Sequence, residues 1–132
     1  MGMIRAVEME NVAVQFDNFV VHRDISFAIN QSEVVTLLGP SGAGKTVILK
    51  IIIGLLFPQR GKVKVLGQDL CKLSEHELTL LRSNIGMLFQ GAALFDSLSV
   101  FDNIAYSLRE REHTPENQIA KIVKEKLNIV GL

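Results

Sequence analysis

The sequence is poor in the residues that mark several classes of protein. Its 132 residues include one cysteine, three prolines and no tryptophan, and aromatic residues make up 6%. A lone Cys71 excludes a disulfide framework and a cysteine-based metal site, which favours a reducing, cytosolic setting and a small buried side chain at this position. Acidic and basic residues number 14 each, so the charge excess that is typical of nucleic-acid binding is missing.

The chain also lacks a long apolar run. Its most apolar stretch, from Thr46 to Phe57, is interrupted by Lys50 and Gly54 and is shorter than the roughly 20 residues that a membrane-spanning helix needs. The first residues show no signal-peptide core. Hydrophobic residues nevertheless make up 48% of the chain, which is enough for a core. We expect a soluble, folded chain without direct membrane insertion.

The most informative stretch is rich in glycine and lies between two apolar runs. It follows the pattern G-x-x-x-x-G-K-[ST], with a predicted strand before it and a predicted helix after it, which is the context that the pattern requires. Glycines let backbone N–H groups turn inward, and a helix start adds unpaired donors, so the stretch predicts a phosphate site. Its residues are Gly39, Pro40, Ser41, Gly42, Ala43, Gly44, Lys45 and Thr46.

Two side chains at the end of this loop carry specific chemistry. The Lys45 ammonium would contact the β and γ phosphates, and the Thr46 hydroxyl would join the ligands of a Mg²⁺ ion. The alternative is a chance glycine turn before a helix, which the flanking strand and helix patterns disfavour.

The remaining patterns predict strands and capped helices. Uneven alternation over 4–14 and 20–29 predicts two antiparallel strands, and residues 33–38 form a nearly continuous apolar run that predicts an internal strand covered on both faces. Shorter strands are expected at 61–66 and 85–89. Capping signals at Ser74 with Glu77, at Ser99 with Asp102, and at Thr114 before Pro115 each predict a helix start, the first helix turning Leu78, Leu80 and Leu81 towards the core. The histidines His22, His76 and His113 lack partners at ligand spacing and are expected to be solvated.

The run from Ile85 to Gln90, together with the glycine-rich loop and the early strands, resembles the N-terminal half of an ABC transporter ATPase subunit. The loop 39–46 matches the family's Walker A motif, and Gln90 matches its Q-loop glutamine. Residues 87–98, with 100–105 and 108–110, are similar to the ATPases of lipid-asymmetry transporters of the Mla type or Mce-associated type, which couple ATP turnover to phospholipid movement.

The resemblance implies an α/β fold of the P-loop NTPase class, of ABC ATPase type. Residues 1–132 would be a partial nucleotide-binding domain with an antiparallel β subdomain and an incomplete core sheet flanked by helices. The strands of the subdomain would occupy about 1–30, the Walker A strand, loop and helix about 33–57, and the Q-loop with the start of a helical subdomain about 85–132.

Site roles are also implied by the resemblance. ATP and Mg²⁺ would be the cofactors, Gln90 would join Thr46 on the metal and act with Lys45 in catalysis, and Phe16, with Phe19 as the alternative, would stack on adenine. The side chains Leu94, Phe95 and Leu98 would line a groove for a short helix of the membrane permease subunit. Two ATPase subunits would pair head to tail on the inner face of the bacterial inner membrane.

Two departures from the family pattern matter. Val47 replaces a common Ser or Thr, which removes a hydrogen bond to phosphate that contributes about 1 kcal/mol. The sequence contains no Leu-Ser-x-Gly-Gly-Gln signature, no strand ending in Asp-Glu and no switch histidine, so we expect a fragment that binds ATP better than it hydrolyses it. A non-catalytic nucleotide-binding or interaction module is the alternative. A small P-loop kinase or GTPase is disfavoured because no Asn-Lys-x-Asp motif occurs.

Overall fold

The computed structural model describes residues 5–91, 93–110 and 114–132. The chain divides into two units, the first ending at Gly86 and the second beginning at Met87. A sheet with two helices makes up the first unit, and the second is built around a helix pair.

The sheet of the first unit has four antiparallel strands in the order β2-β1-β3-β4. The first hairpin confirms the predicted antiparallel pair, and its turn at Asp17 has a φ of 47°, a left-handed conformation that Asp tolerates. Several register shifts interrupt the pairing of β1 with β2. The strands are β1 (Arg5–Phe16), β2 (Phe19–Asn30), β3 (Arg60–Val65) and β4 (Gln68–Asp69).

Two helices contribute to the core that covers this sheet. They are α1 (Lys45–Ile52), which follows the glycine-rich loop, and α2 (Glu75–Arg82), which begins at the predicted capping box of Ser74 and Glu77. A 3-10 turn at Leu70–Lys72 joins the sheet to α2. The buried core consists of Met9, Val12, Val14, Ile48, Ile51, Val63, Val65, Leu70, Leu78 and Leu81.

The end of α1 is held by a cation from α2. Arg82 donates from Nε to the Ile53 carbonyl at 3.0 Å and from a terminal nitrogen to the Gly54 carbonyl at 2.7 Å. A positive charge at a helix C-terminus is favourable because the last carbonyls lack helical donors. This link, together with the buried face of α1, holds the helix that starts at the loop.

The second unit packs α3 (Val100–Glu110) against α4 (Glu116–Ile129). The Ser99 cap is confirmed, since its hydroxyl accepts from the Asp102 N–H at 3.0 Å. The predicted Thr114 cap is wrong by one residue, because α4 begins at Glu116 with Pro115 in the cap position and no side-chain cap bond. The buried residues between the helices are Ala105, Ile119 and Val123.

Two predicted strands are not present. Residues 33–38 and 85–89 form neither a strand nor a helix and pair with no strand in the described ranges, and the apolar residues Val34, Leu38 and Leu88 are 94%, 89% and 86% exposed. An internal strand needs a ladder on each side to satisfy its backbone groups. Among the described residues the sheet consists of β1 to β4 alone, so neither run gains such neighbours and neither adds a strand to the incomplete core sheet.

Three smaller predictions were also wrong. Leu80 is exposed because Leu78 and Leu81, three residues apart, occupy the inward face of α2. Cys71 is exposed on the 3-10 turn. His22 is buried, whereas His76 is exposed as predicted and His113 lies outside the described residues.

Candidate functional site

The glycine-rich loop folds into a tight turn before α1. The N–H of Ala43 donates to the Pro40 carbonyl at 3.2 Å, and both Gly42 and Gly44 have positive φ, at 80° and 81°. Residues with a side chain rarely adopt this left-handed conformation, which is why the loop needs glycine there. Gly44 occupies the cap position of α1.

The start of α1 leaves main-chain donors unpaired. The Gly44 carbonyl accepts from the N–H groups of Val47 at 3.0 Å and Ile48 at 3.2 Å, which closes the first turn. The N–H groups of Lys45 and Thr46 donate to no oxygen within the described ranges. Unpaired donors at a helix N-terminus, where the helix dipole is positive, attract an anion.

The Lys45 side chain bends back over the loop. Its Nζ donates to the carbonyls of Gly39 and Pro40, each at 2.7 Å. The Lys45 ammonium and the N-terminus of α1 therefore both belong to the loop 39–46. Thr46, the predicted metal ligand, is exposed on the first turn of α1.

Strand β2 contacts the loop through a residue that the sequence patterns missed. The Nε2 atom of His22 lies 3.1 Å from the Gly44 carbonyl oxygen, and the side chain is only 8% exposed. The apolar residues of β2 predict that other positions of the strand face inward, so the sequence pattern does not predict a buried side chain at His22. A register shift between the pairs Val12–Ile25 and Val14–His22 accompanies the burial of His22, and neither sequence alternation nor residue type predicts such a shift.

The predicted adenine-stacking residue lies at the tip of the first hairpin. Phe16 ends β1 and pairs with Phe19 at the start of β2, and the two side chains are 43% and 67% exposed. Both rings are therefore accessible. An open cleft of about 590 Å³ lies beside the hairpin, and its walls include Gln15, His22 and Arg23.

Gln90, the predicted Q-loop glutamine, lies in the second unit. It is exposed in a turn that follows the run 85–89. Thr46, with which it was expected to share a metal, belongs to the first unit. No cluster of three or more His, Cys, Asp or Glu side chains that could hold a metal occurs in the part of the chain that the structure describes.

The predicted partner surface forms a short loop before α3. Leu94, Phe95 and Leu98 are all exposed, and the Phe95 ring packs against Tyr106 with centroids 4.8 Å apart. Asn103 holds this loop through its side chain. Its Oδ1 accepts from the Phe95 N–H at 2.8 Å, and its Nδ2 donates to the carbonyls of Phe95, Leu98 and Ser99 at 3.1 to 3.2 Å.

An arginine links α3 to α4. Arg109 donates to Asp102 at 2.9 Å and to Glu116 at 2.6 Å. The pKa of Asp102 is lowered by the hydrogen bond from Ser99 and then by Arg109, and the pKa of Glu116 is lowered by Arg109. These carboxylates serve helix packing, because all of their recorded polar partners lie within the two helices and the Ser99 cap.

The sequence profile of the ABC transporter family matches residues 22–132, which include the loop 39–46, Gln90 and the second unit. The chain belongs to the ABC transporter family. The resemblance predicted from the loop and Gln90 is thereby confirmed.

Curated relatives confirm the predicted similarity to lipid-transport ATPases. The chain is 42% identical over 126 residues to the intermembrane phospholipid transport system ATP-binding protein MlaF of Haemophilus influenzae, covering 96% of this chain and 48% of that protein. It is 43% identical over 132 residues to the probable ribonucleotide transport ATP-binding protein mkl of Mycobacterium leprae, covering 100% and 38%. The ABC family chain therefore spans about half or less of these relatives' length.

A solved structure confirms the fold class. The ATP-binding cassette MJ0796, described as a dimer in a post-hydrolysis state bound to ADP and Pi, aligns with a TM-score of 0.81 and 28% identity, covering 96% of this chain and 57% of that one. The ABC family chain is thus an α/β protein of the ABC ATPase type. None of the described helices has the length and apolar content of a membrane span.

Proposed function

We propose that this chain is the ATP-binding part of an ABC transporter ATPase. The observation that carries the proposal is the helix start at Gly44, where the N–H groups of Lys45 and Thr46 have no acceptor among the described residues and the Lys45 ammonium bonds the carbonyls of Gly39 and Pro40 in the same loop. Charge-assisted hydrogen bonds contribute about 1.5 to 3 kcal/mol each, so a few of them support nucleotide binding.

The residues present suit ATP with Mg²⁺. The donors of the loop would hold the β and γ phosphates, and Lys45 would exchange its two loop carbonyls for phosphate oxygens. Thr46 would provide an oxygen ligand to Mg²⁺, which when bound neutralises phosphate charge. Phe16 would offer its exposed ring to adenine, with Phe19 as the alternative.

We propose phospholipid as the substrate class of the transporter that this chain serves. The support is the similarity to MlaF, whose name states intermembrane phospholipid transport. The mycobacterial relative is named as a probable ribonucleotide transport protein, so transport of a nucleotide is the alternative.

The loop of Leu94, Phe95 and Leu98 is proposed to receive a helix of the membrane permease subunit. Its support is the exposure of these apolar side chains on a backbone that Asn103 holds in place. Exposed apolar side chains on a fixed loop are typical of a docking surface. The same proposal places the chain on the inner face of the bacterial inner membrane, in a head-to-tail pair with a second ATPase subunit.

Hydrolysis by these 132 residues alone is expected to be slow. Phosphoryl transfer needs a carboxylate that orients water and donors that cover the γ phosphate, and these 132 residues contain no Asp-Glu strand end and no signature motif. These 132 residues would therefore bind ATP without efficient turnover.

The test compares equilibrium binding with turnover of Mg-ATP. Lys45→Ala should weaken ATP binding by about 10- to 100-fold, the loss of one or more charge-assisted bonds. Lys50→Ala, which removes an exposed lysine from the same helix, should bind like the wild type. Equal binding by both variants, or no binding by the wild type, would overturn the nucleotide site. Competition by GTP as effective as by ATP would favour a different P-loop class.

A further inference from the structure

His22 makes a polar contact that its burial requires. The side chain is 8% exposed on β2, and the one polar contact recorded for its ring is to the Gly44 carbonyl oxygen, 3.1 Å from Nε2. A carbonyl oxygen only accepts, so Nε2 carries the hydrogen and donates it. A buried ring of this kind is stabilised by such a bond, because an unpaired polar group would lose its hydration without compensation.

The contact point is where the loop becomes a helix. A Cβ atom on Gly44 would lie 2.5 Å from His22 Nε2 and 2.6 Å from Val21 Cγ1, so strand and loop are in direct contact there. The Gly44 carbonyl that His22 holds also accepts from Val47 and Ile48 in the first turn of α1. The next residue is Lys45. A shift of this carbonyl would therefore move the helix start and its donors together.

We propose that His22 is a positioning residue for phosphate binding at the loop 39–46. By fixing the Gly44 peptide against β2, it orients the N–H groups of Lys45 and Thr46 towards an anion. It does so without touching the ligand. This role rests on the proposed function, since it requires that the loop binds phosphate.

The experiment uses two probes, Mg-ADP and Mg-pyrophosphate, with binding measured by calorimetry on the whole chain. His22→Leu removes the donor and should weaken both probes by about three- to tenfold, which is the range that one neutral hydrogen bond contributes. His22→Gln places an amide donor at similar reach and should restore most of the affinity. His76→Leu changes an exposed histidine on α2 and should bind like the wild type.

The pyrophosphate probe separates positioning from direct contact. His22 also borders the cleft of about 590 Å³, where it could touch the base or ribose. Direct contact would weaken Mg-ADP and leave Mg-pyrophosphate unchanged, and this result would overturn the positioning role. Equal affinity of the Leu and Gln variants would overturn it too. If His22→Leu does not fold, His22→Met, which has similar length and no donor, replaces it in the comparison with His22→Gln.

Lys45→Ala distinguishes a failure of the proposed nucleotide site from a failure of the positioning role of His22. If the wild type binds both probes and Lys45→Ala loses them while the donorless His22 variants do not, the nucleotide site stands and the role of His22 fails. If the wild type binds neither probe, the proposed function fails and the role of His22 fails with it.

Discussion

The first unit buries a core drawn from two strands, two helices and a 3-10 turn, whereas the second unit buries Ala105, Ile119 and Val123 between two helices. Much of the second unit's recorded polar structure is local. Asn103, Ser99 and Arg109 bond to residues no more than eight positions away. The first unit joins residues far apart in sequence, as in the bond from Arg82 to Gly54. The phosphate loop is therefore supported by contacts between residues far apart in sequence, whereas the proposed partner surface is held by hydrogen bonds between near neighbours.

The largest stability effect is expected from the core of the first unit. Ile51 is fully buried on α1, so Ile51→Ala should lower the free energy of unfolding by about 2 to 5 kcal/mol, as cavity-forming substitutions do. Leu49→Ala, on the exposed side of the same helix, should have a small effect. Chemical denaturation measures both. Equal losses would show that α1 does not rest on its buried face.

A smaller and more local effect is expected in the second unit. Ile119→Ala should remove about 2 kcal/mol, the low end for such a change, because fewer buried residues surround this site. Amide exchange should speed up across α3 and α4 while β1 and β3 keep their protection. Ile129→Ala, which changes an exposed residue of α4, is the control. Loss of protection in the sheet as well would show that the two units unfold together.

The capping box tests a local bond inside the first unit. Ser74→Ala removes the acceptor of the Glu77 N–H and the hydroxyl that bonds the Glu77 carboxylate, and should cost about 1 kcal/mol. The pKa of Glu77 is lowered chiefly by the Ser74 hydroxyl, so it should rise towards the ordinary value in this variant. His76→Ala, in the same turn, should leave the stability unchanged and should raise the pKa of Glu77 by less than Ser74→Ala does, because the charge of His76 is the smallest of the causes that lower it. Titration by NMR and thermal melting provide the two measurements.

The smallest effect is expected from Arg109, and it depends on pH. The lowered pKa values of Asp102 and Glu116 mean that their contribution to stability is present above the ordinary carboxyl range near pH 4 and is lost as the pH falls through the folded values. Arg109→Met should make helix content in the second unit less dependent on pH below about 4. High salt should act in the same direction because exposed ion pairs are screened.

Circular dichroism at a series of pH values measures this dependence. Lys121→Met removes an exposed lysine of α4 that forms no ion pair among the described residues, and its pH curve should match that of the wild type. A curve for Arg109→Met that also matches the wild type would show that the ion pairs contribute nothing to holding the helices together.

Local signals in the sequence predicted much of the fold. The capping residues Ser74 and Ser99 begin their helices as expected, and the first two strands pair as the predicted antiparallel hairpin. Each of these depends on residues within a few positions of one another, so a short stretch of chain contains the information.

Features that depend on distant neighbours were predicted less well. The apolar runs 33–38 and 85–89 have the composition of internal strands, but a strand forms only when another strand lies beside it. Leu80 and Cys71 are apolar residues whose exposure depends on the direction in which their element packs. The type of a residue does not tell which side of its element packs against the core.

The sequence by itself determined the loop from Gly39 to Thr46 and the family to which the chain belongs, because the pattern requires glycine where φ is positive and a lysine at the helix start. Only the tertiary structure decided that His22 lies against Gly44, since the two residues are 22 positions apart and a register shift between β1 and β2 accompanies the burial of the His22 side chain. Neighbouring residues determine the geometry of a loop or a helix start, whereas the contact between β2 and the loop exists only after the sheet has formed.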